Sequence, residues 1–205
     1  MLFQWMVLYT TLANSNVLLA VSRYSGYNIS LNLYKMEVLV YPNPILKRKA
    51  KPVEEIDEEI CQLAGAMLDT MYDACGIGLA ATQIGLSKRL VVLDVAGKKT
   101  GERVFVNPYI VDERGEAIEE EGCLSFPGLS GKVMRSQSVT VIAFNLKGEK
   151  LKIEAEGLLS RAWQHEIDHL NGTLFIDKMT PASMIANKQK IKEFELVYQD
   201  NNAGF

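Results

Sequence analysis

The chain has 205 residues, 48% hydrophobic and 23% charged, with 22 basic against 25 acidic side chains for a net charge of −3. That length suits one domain and leaves no room for two full ones. The composition excludes a collagen, a disordered tail and a multi-span membrane protein, and the charge balance shows no bulk footprint of nucleic-acid binding. Three cysteines (Cys61, Cys75, Cys123), with no C-x-x-C pair, fit a reduced cytoplasmic protein. The two histidines, His165 and His169, stand four residues apart.

Residues 1–35 hold no Asp or Glu and only Arg23 and Lys35 as bases, so 36–205 carries 20 bases against 25 acids, or −5. The uncharged stretch 1–22 is interrupted by Gln4, Thr10, Thr11, Asn14, Ser15 and Asn16, whereas a membrane span needs about 20 predominantly apolar residues. It lacks the basic start of a signal peptide, although residues 18–22 have the look of a cleavage end. The expectation is an N-terminal extension, 1–35, outside a single folded domain at 36–205 that begins at Met36. A targeting segment and an integral part of the fold are the alternatives, and 17–21 would then form a surface strand or helix.

From Met36 onward, residues 38–41 read as a short strand stopped by Pro42-Asn43-Pro44. Ile56, Ile60, Leu63, Met67 and Met71 recur at spacings of three and four, which predicts an amphipathic helix over 57–74 with Asp57 as its N-cap. Residues 90–95 and 104–106 read as strands. Residues 138–146 and 150–155 alternate with period two around Lys147-Gly148, a hairpin signal. Residues 158–171 read as a helix ended by Gly172, and a last helix is predicted from about 181 to 198. Strands in the middle flanked by helices give an α+β plan: mostly antiparallel sheets around a central helix bearing both histidines, with one helix before it and one after.

That central helix carries Gln164-His165-Glu166-Ile167-Asp168-His169. Residues i and i+4 share a helix face, so both imidazoles can reach one ion. Glu166 sits about 100° further round, placed to approach a water without ligating the metal, which is the H-E-x-x-H arrangement. A catalytic site takes a third protein ligand and leaves a position open. In Glu121-Gly122-Cys123-Leu124-Ser125 a turn-placed thiolate is the better candidate, while Glu193 and Glu195 stand at the distance some metalloproteases use. Cys61 reads as an inert helix residue, and Cys75 as structural at a helix end. Gly76-Ile77-Gly78-Leu79-Ala80-Ala81-Thr82-Gln83 allows a close backbone approach, and Gln83 brings an amide that can meet an oxyanion; a tight turn into a packed strand explains the same residues.

Taken in order, Gly76–Gln83, Glu121–Ser125 and Gln164–Gly172 resemble the motifs G-x-G-L-A-A-x-Q, E-G-C-L-S and Q-H-E-x-D-H-L-x-G of the peptide deformylases. The likeness extends from Tyr41–Pro44 to about Pro181, and the lysine-bearing last helix (Lys188, Lys190, Lys192) looks like the bacterial form. The resemblance implies removal of the N-formyl group from the formyl-methionine of nascent chains, with release of formate. It implies a divalent metal on Cys123, His165 and His169, with iron(II) the first choice and zinc or nickel the alternatives. Glu166 would serve as general base, and the Gln83 amide and Leu124 N–H would meet charge on the formyl oxygen. Ile77 and Gly78 would pair with the substrate backbone, and Leu124, Ala162 and Glu166 would help wall the methionine pocket, flanked by Arg161 and Trp163, the latter equally a core residue. The implied partners are N-formyl-methionyl nascent peptides, with transient ribosome association, no direct nucleic-acid readout and no membrane. The rival functions are a zinc endopeptidase, with its third ligand from Glu193 or Glu195, and a structural metal module with four protein ligands.

Overall fold

The computed structural model describes residues 8–10, 18–24, 27–33 and 36–202, with side chains described for 36–200. The chain forms two compact units, Met1–Met36 and Glu37–Phe205. In the first, strands β1 (Leu8–Thr10), β2 (Leu18–Tyr24) and β3 (Tyr27–Leu33) make an antiparallel sheet in that order, with Leu8 opposite Val21 and Leu18 opposite Leu33. Residues 18–21 of the expected surface segment thus fall in β2, and Val17 lies outside the described residues.

The second unit begins with an extended segment rather than the expected strand at 38–41. Its hydrogen bonds go to two different places: Leu39 N–H donates to the Gln83 carbonyl (2.7 Å) and Tyr41 N–H to the Ser125 carbonyl (3.0 Å). The segment therefore ties together two of the three motifs instead of joining a ladder. Helix α1 (Glu58–Asp73) follows, its first turn capped by the Asp57 carboxylate accepting from Ile60 N–H at 2.9 Å. Ile60, Leu63, Met67 and Met71 are buried, as their spacing predicts.

Five strands form one antiparallel sheet in the order β10-β9-β6-β5-β4, with β4 (Gly78–Ala80) at the edge. β5 is Leu90–Leu93 and β6 is Val104–Arg114. β6 runs eight residues beyond the expected 104–106 because Asn107-Pro108 lies inside it. Asn107 adopts φ +52 at a register shift and clamps Val53 through both ends of its amide, at 2.8 Å each, so the strand bends without stopping. β9 (Ser138–Phe144) and β10 (Lys150–Glu156) form the predicted hairpin, whose turn has Gly148 at φ +77. A separate hairpin, β7 (Ala117–Gly122) with β8 (Ser130–Arg135), has no counterpart in the sequence-based expectation.

Helix α2 (Gly157–Leu170) lies between two cores. On one side Trp163, Ile167 and Leu170 pack with Val91, Phe105, Val139 and Val141 of the sheet; on the other, Phe126, Leu129, Val133, Leu174 and Phe175 cluster with Phe194 of α3 (Pro181–Asn202). α2 is buried nearly all round, so its polar residues must be paired internally. Gln164 donates to the Ser136 carbonyl (2.8 Å) and accepts from Ser136 N–H (2.9 Å), and the Ser160 hydroxyl donates to the same carbonyl (2.9 Å). The architecture is the expected α+β one. Among the described residues no helix is long and apolar enough to cross a membrane.

Candidate metal centre and active-site cleft

Helical spacing puts His165 and His169 on one face of α2, their Nε2 atoms 3.2 Å apart. Cys123, just past the end of β7, brings its Sγ to 3.2 Å from His169 Nε2. All three donor atoms lie within 4.8 Å of one another, and among the described residues no other trio of His, Cys, Asp or Glu converges in this way. Glu193 and Glu195 are engaged elsewhere on α3: Glu193 accepts from Gln189 at 3.1 Å and Glu195 from the Tyr41 hydroxyl at 2.8 Å. Among the described residues, the candidate that converges with the two imidazoles is the upstream thiol.

The donor set fits a first-row divalent metal. His165 Nδ1 lies 3.1 Å from the Glu121 carboxylate, a partner that would keep the N–H at Nδ1 and leave Nε2, which faces Cys123 and His169, for a metal. Glu121 is buried and is held by Arg135 at 2.8 and 3.0 Å and by Arg161 at 2.7 Å. Arg135 also pairs with Asp168 of α2, which in turn meets Lys178 at 3.0 Å. Burial works against the Glu121 charge, but hydrogen bonds from His165 and Arg135 and their positive charges hold its carboxyl well below the usual range. Burial pushes His169 well below an ordinary histidine, and the His165 charge adds to this. For His165 burial acts the same way but is outweighed by the Cys123 sulfur, so that ring is held well above its ordinary value.

A cleft of about 770 Å³ opens over these donors, lined among others by Ile77, Gly78, Leu124, Ala162 and Glu166. Glu166 is 4% exposed and its Oε2 has no hydrogen-bond partner among the described residues. Burial raises its pKa to about 7, with the Glu121 charge adding and His165 and Arg135 opposing. Gln83 accepts from Ala80 N–H (2.8 Å), which orients its amide nitrogen toward Cys123 Sγ at 3.6 Å and Ser125 Oγ at 3.3 Å.

Edge strand β4 forms one wall. Asp94 N–H donates to the Ile77 carbonyl (2.8 Å), so residue 77 faces β5. Antiparallel ladders alternate, and Gly78, opposite Leu93, therefore turns its N–H and C=O to the open edge. Ile77 contributes an exposed side chain to the cleft, but its carbonyl is already used.

A model of the family described as polypeptide deformylase matches residues 35–184. The chain belongs to the polypeptide deformylase family. Among deformylases it is 46% identical to the Neisseria gonorrhoeae peptide deformylase over 158 residues, 77% of this chain and 95% of that one. It is 53% identical to the Halothermothrix orenii enzyme over 137 residues, 67% and 88% of the two chains. The crystal structure of the Legionella pneumophila deformylase superposes with a TM-score of 0.73 at 46% identity, covering 79% of this chain and 96% of that one. An Arabidopsis thaliana deformylase gives 0.79 at 40% identity, covering 82% and 94%.

Glu121 and Arg135, the buried ion network beneath the deformylase site, are not singled out by any sequence pattern of their own. The Glu preceding Gly122-Cys123 was the available signal. Arg161, expected beside the methionine pocket, spends its guanidinium on Glu121, Glu119 (3.1 Å), and the carbonyls of Val133 (3.1 Å) and Ala117 (3.0 Å). Trp163 is a core residue, edge-on to Phe105 at 4.6 Å. Cys61 lies within α1, half-buried; Cys75 is exposed at the cleft mouth with φ +54.

Proposed function

We propose that this chain hydrolyses the formyl amide of N-formyl-methionyl peptides, with Cys123, His165 and His169 as metal ligands and Glu166 as general base. The observation that carries the reading is a buried carboxylate, unpartnered at Oε2 among the described residues, beside three converging donors in a cleft walled by an open strand edge.

Cys123, His165 and His169 would hold a divalent metal, which would supply Lewis acidity toward water and the formyl oxygen. Glu166, with a pKa near neutrality, takes the proton of the attacking water and delivers it to the leaving amine. The Gln83 amide and the Leu124 N–H donate to the oxygen as charge grows there; one such donor is worth about 3–4 kcal/mol in the transition state. The Gly78 N–H and C=O pair with the substrate backbone as an added strand. Leu124, Ala162 and the exposed side chain of Ile77 line the methionine pocket.

The proposed metal is iron(II), with zinc and nickel as the alternatives that metal analysis of anaerobically purified protein distinguishes. Thiolate beside iron(II) predicts loss of activity in air. The proposal places the enzyme in the cytoplasm, acting on nascent peptides in transient association with the ribosome and reading no nucleic-acid sequence. It assigns the reaction to residues 36–205. The test is formate release from a formyl-methionyl peptide by wild type and Glu166→Gln. The variant keeps its metal and loses turnover by about 10²–10⁴-fold; near-normal release at neutral pH would remove Glu166 from the role.

A further inference from the structure

The geometry points to Gly78 as a positioning residue that seats the Glu166 carboxylate, an inference that rests on Glu166 being the general base. Gly78 is buried in β4 and its φ lies outside the left-handed region, so its backbone does not call for glycine. Glycine weakens a strand, and what it offers in return is space. A Cβ at residue 78 would stand inside van der Waals contact of Glu166 Oε1, and only 2.9 Å from its Cδ and 3.0 Å from its Cγ. The carboxylate occupies the place of the missing side chain.

Two further observations make that contact decisive. Among the described residues no protein group hydrogen-bonds Glu166 Oε2, so within the protein itself it is packing that sets where the base lies. The strand cannot yield instead. Leu79 and Ala80 are fully buried, and β4 is laddered to β5 from Gly78–Leu93 to Ala80–Val91, with the Asp94–Ile77 bond extending it by one residue. A methyl group at 78 therefore moves the Glu166 side chain by about 1 Å, a displacement of the size that costs about 10²-fold in rate.

The experiment is a double-substitution cycle on the metal-loaded full chain. Gly78→Ala is expected to keep wild-type metal content and melting temperature. Its kcat should fall about 100-fold while KM changes less than about threefold, because the N–H and C=O of residue 78 remain for the substrate. In a Glu166→Asp background the shorter side chain leaves the space free, and Gly78→Ala should cost less than about fivefold, so the two substitutions are non-additive. A crystal structure of Gly78→Ala should show the carboxylate displaced, and it decides the matter if Glu166→Asp turns over too slowly to complete the cycle. The inference is overturned by an unmoved carboxylate, by equal losses in the two backgrounds, by a raised KM with unchanged kcat, or by a variant that fails to fold. Wild-type turnover by Glu166→Gln would instead refute the assignment of the base, leaving the packing of Gly78 as observed.

Discussion

Replacing Glu121 by glutamine keeps the shape of the side chain and removes the charge on which Arg135, Arg161 and His165 converge. Arg135 would keep Asp168 and Arg161 would keep Glu119, but the latter is exposed and a poor substitute for a buried partner. Glu121 is 6% exposed and Arg135 3%, so solvent does not screen the loss. Breaking one member of a buried ion network costs about 3–5 kcal/mol. Loss of the carboxylate that orients a metal-binding histidine weakens metal binding by about 10–100-fold. The folded-state pKa of Glu121 is depressed, so its contribution is fully present above the unfolded glutamate value of about 4.3 and is lost as pH falls below that toward the depressed value. Urea unfolding at pH 7 should therefore show the full deficit of Glu121→Gln, and the gap to wild type should narrow on acidification. Chelator competition should show faster metal loss at pH 7. A variant within about 1 kcal/mol of wild type, retaining metal equally well, would refute the reasoning.

Cys123→Ser should lose metal on dialysis and most of its activity, whereas Cys61→Ser, outside the site, should keep both; metal content equal to wild type in purified Cys123→Ser would overturn the ligand assignment. A chain beginning at Met36 should deformylate with the kcat/KM of the full chain, since all the proposed site residues lie beyond that point. A fall in its urea midpoint worth more than about 2 kcal/mol would make residues 1–35 part of the core.

The parts of the fold legible from sequence are those where burial and hydropathy coincide. α1 shows its apolar stripe, β9 and β10 alternate, and α2 announces itself through two histidines one turn apart. The β7–β8 hairpin was not legible because all of its buried positions but Val133 are polar or lack a side chain. In β7 only Glu121 is buried, within a run of three glutamates, and in β8 the buried residues are Gly131, Val133 and Arg135. Period two is present in β8, but hydropathy is blind to it. The same blindness hid the ion network, since a lone buried Glu and Arg resemble surface residues until the topology brings them together. Residues 38–41 failed in the opposite way. They have a strand's composition, but their partners are Gln83 and Ser125, so they cross-link two loops of the site instead of extending a sheet.

One strand end couples the metal site to the stability of the fold. Glu121 and Cys123 are two residues apart at the end of β7, so the chain that delivers one donor also supports another, His165 on α2. α2 returns the connection through Asp168 and Arg161, which reach Arg135 of β8 and Glu121 of β7. The hairpin and the helix are thus held in register by the same charges that orient the imidazole. The proposed metal, held by Cys123 and the two histidines, would span that same junction. With no assembled site in the unfolded chain, it would stabilise the fold in proportion to the logarithm of its concentration over its dissociation constant. The deficit of Glu121→Gln should therefore be larger with metal than without it, because the substitution weakens both the junction and the ligand that bridges it. Equal deficits in the two states would mean that His165 is oriented by α2 alone.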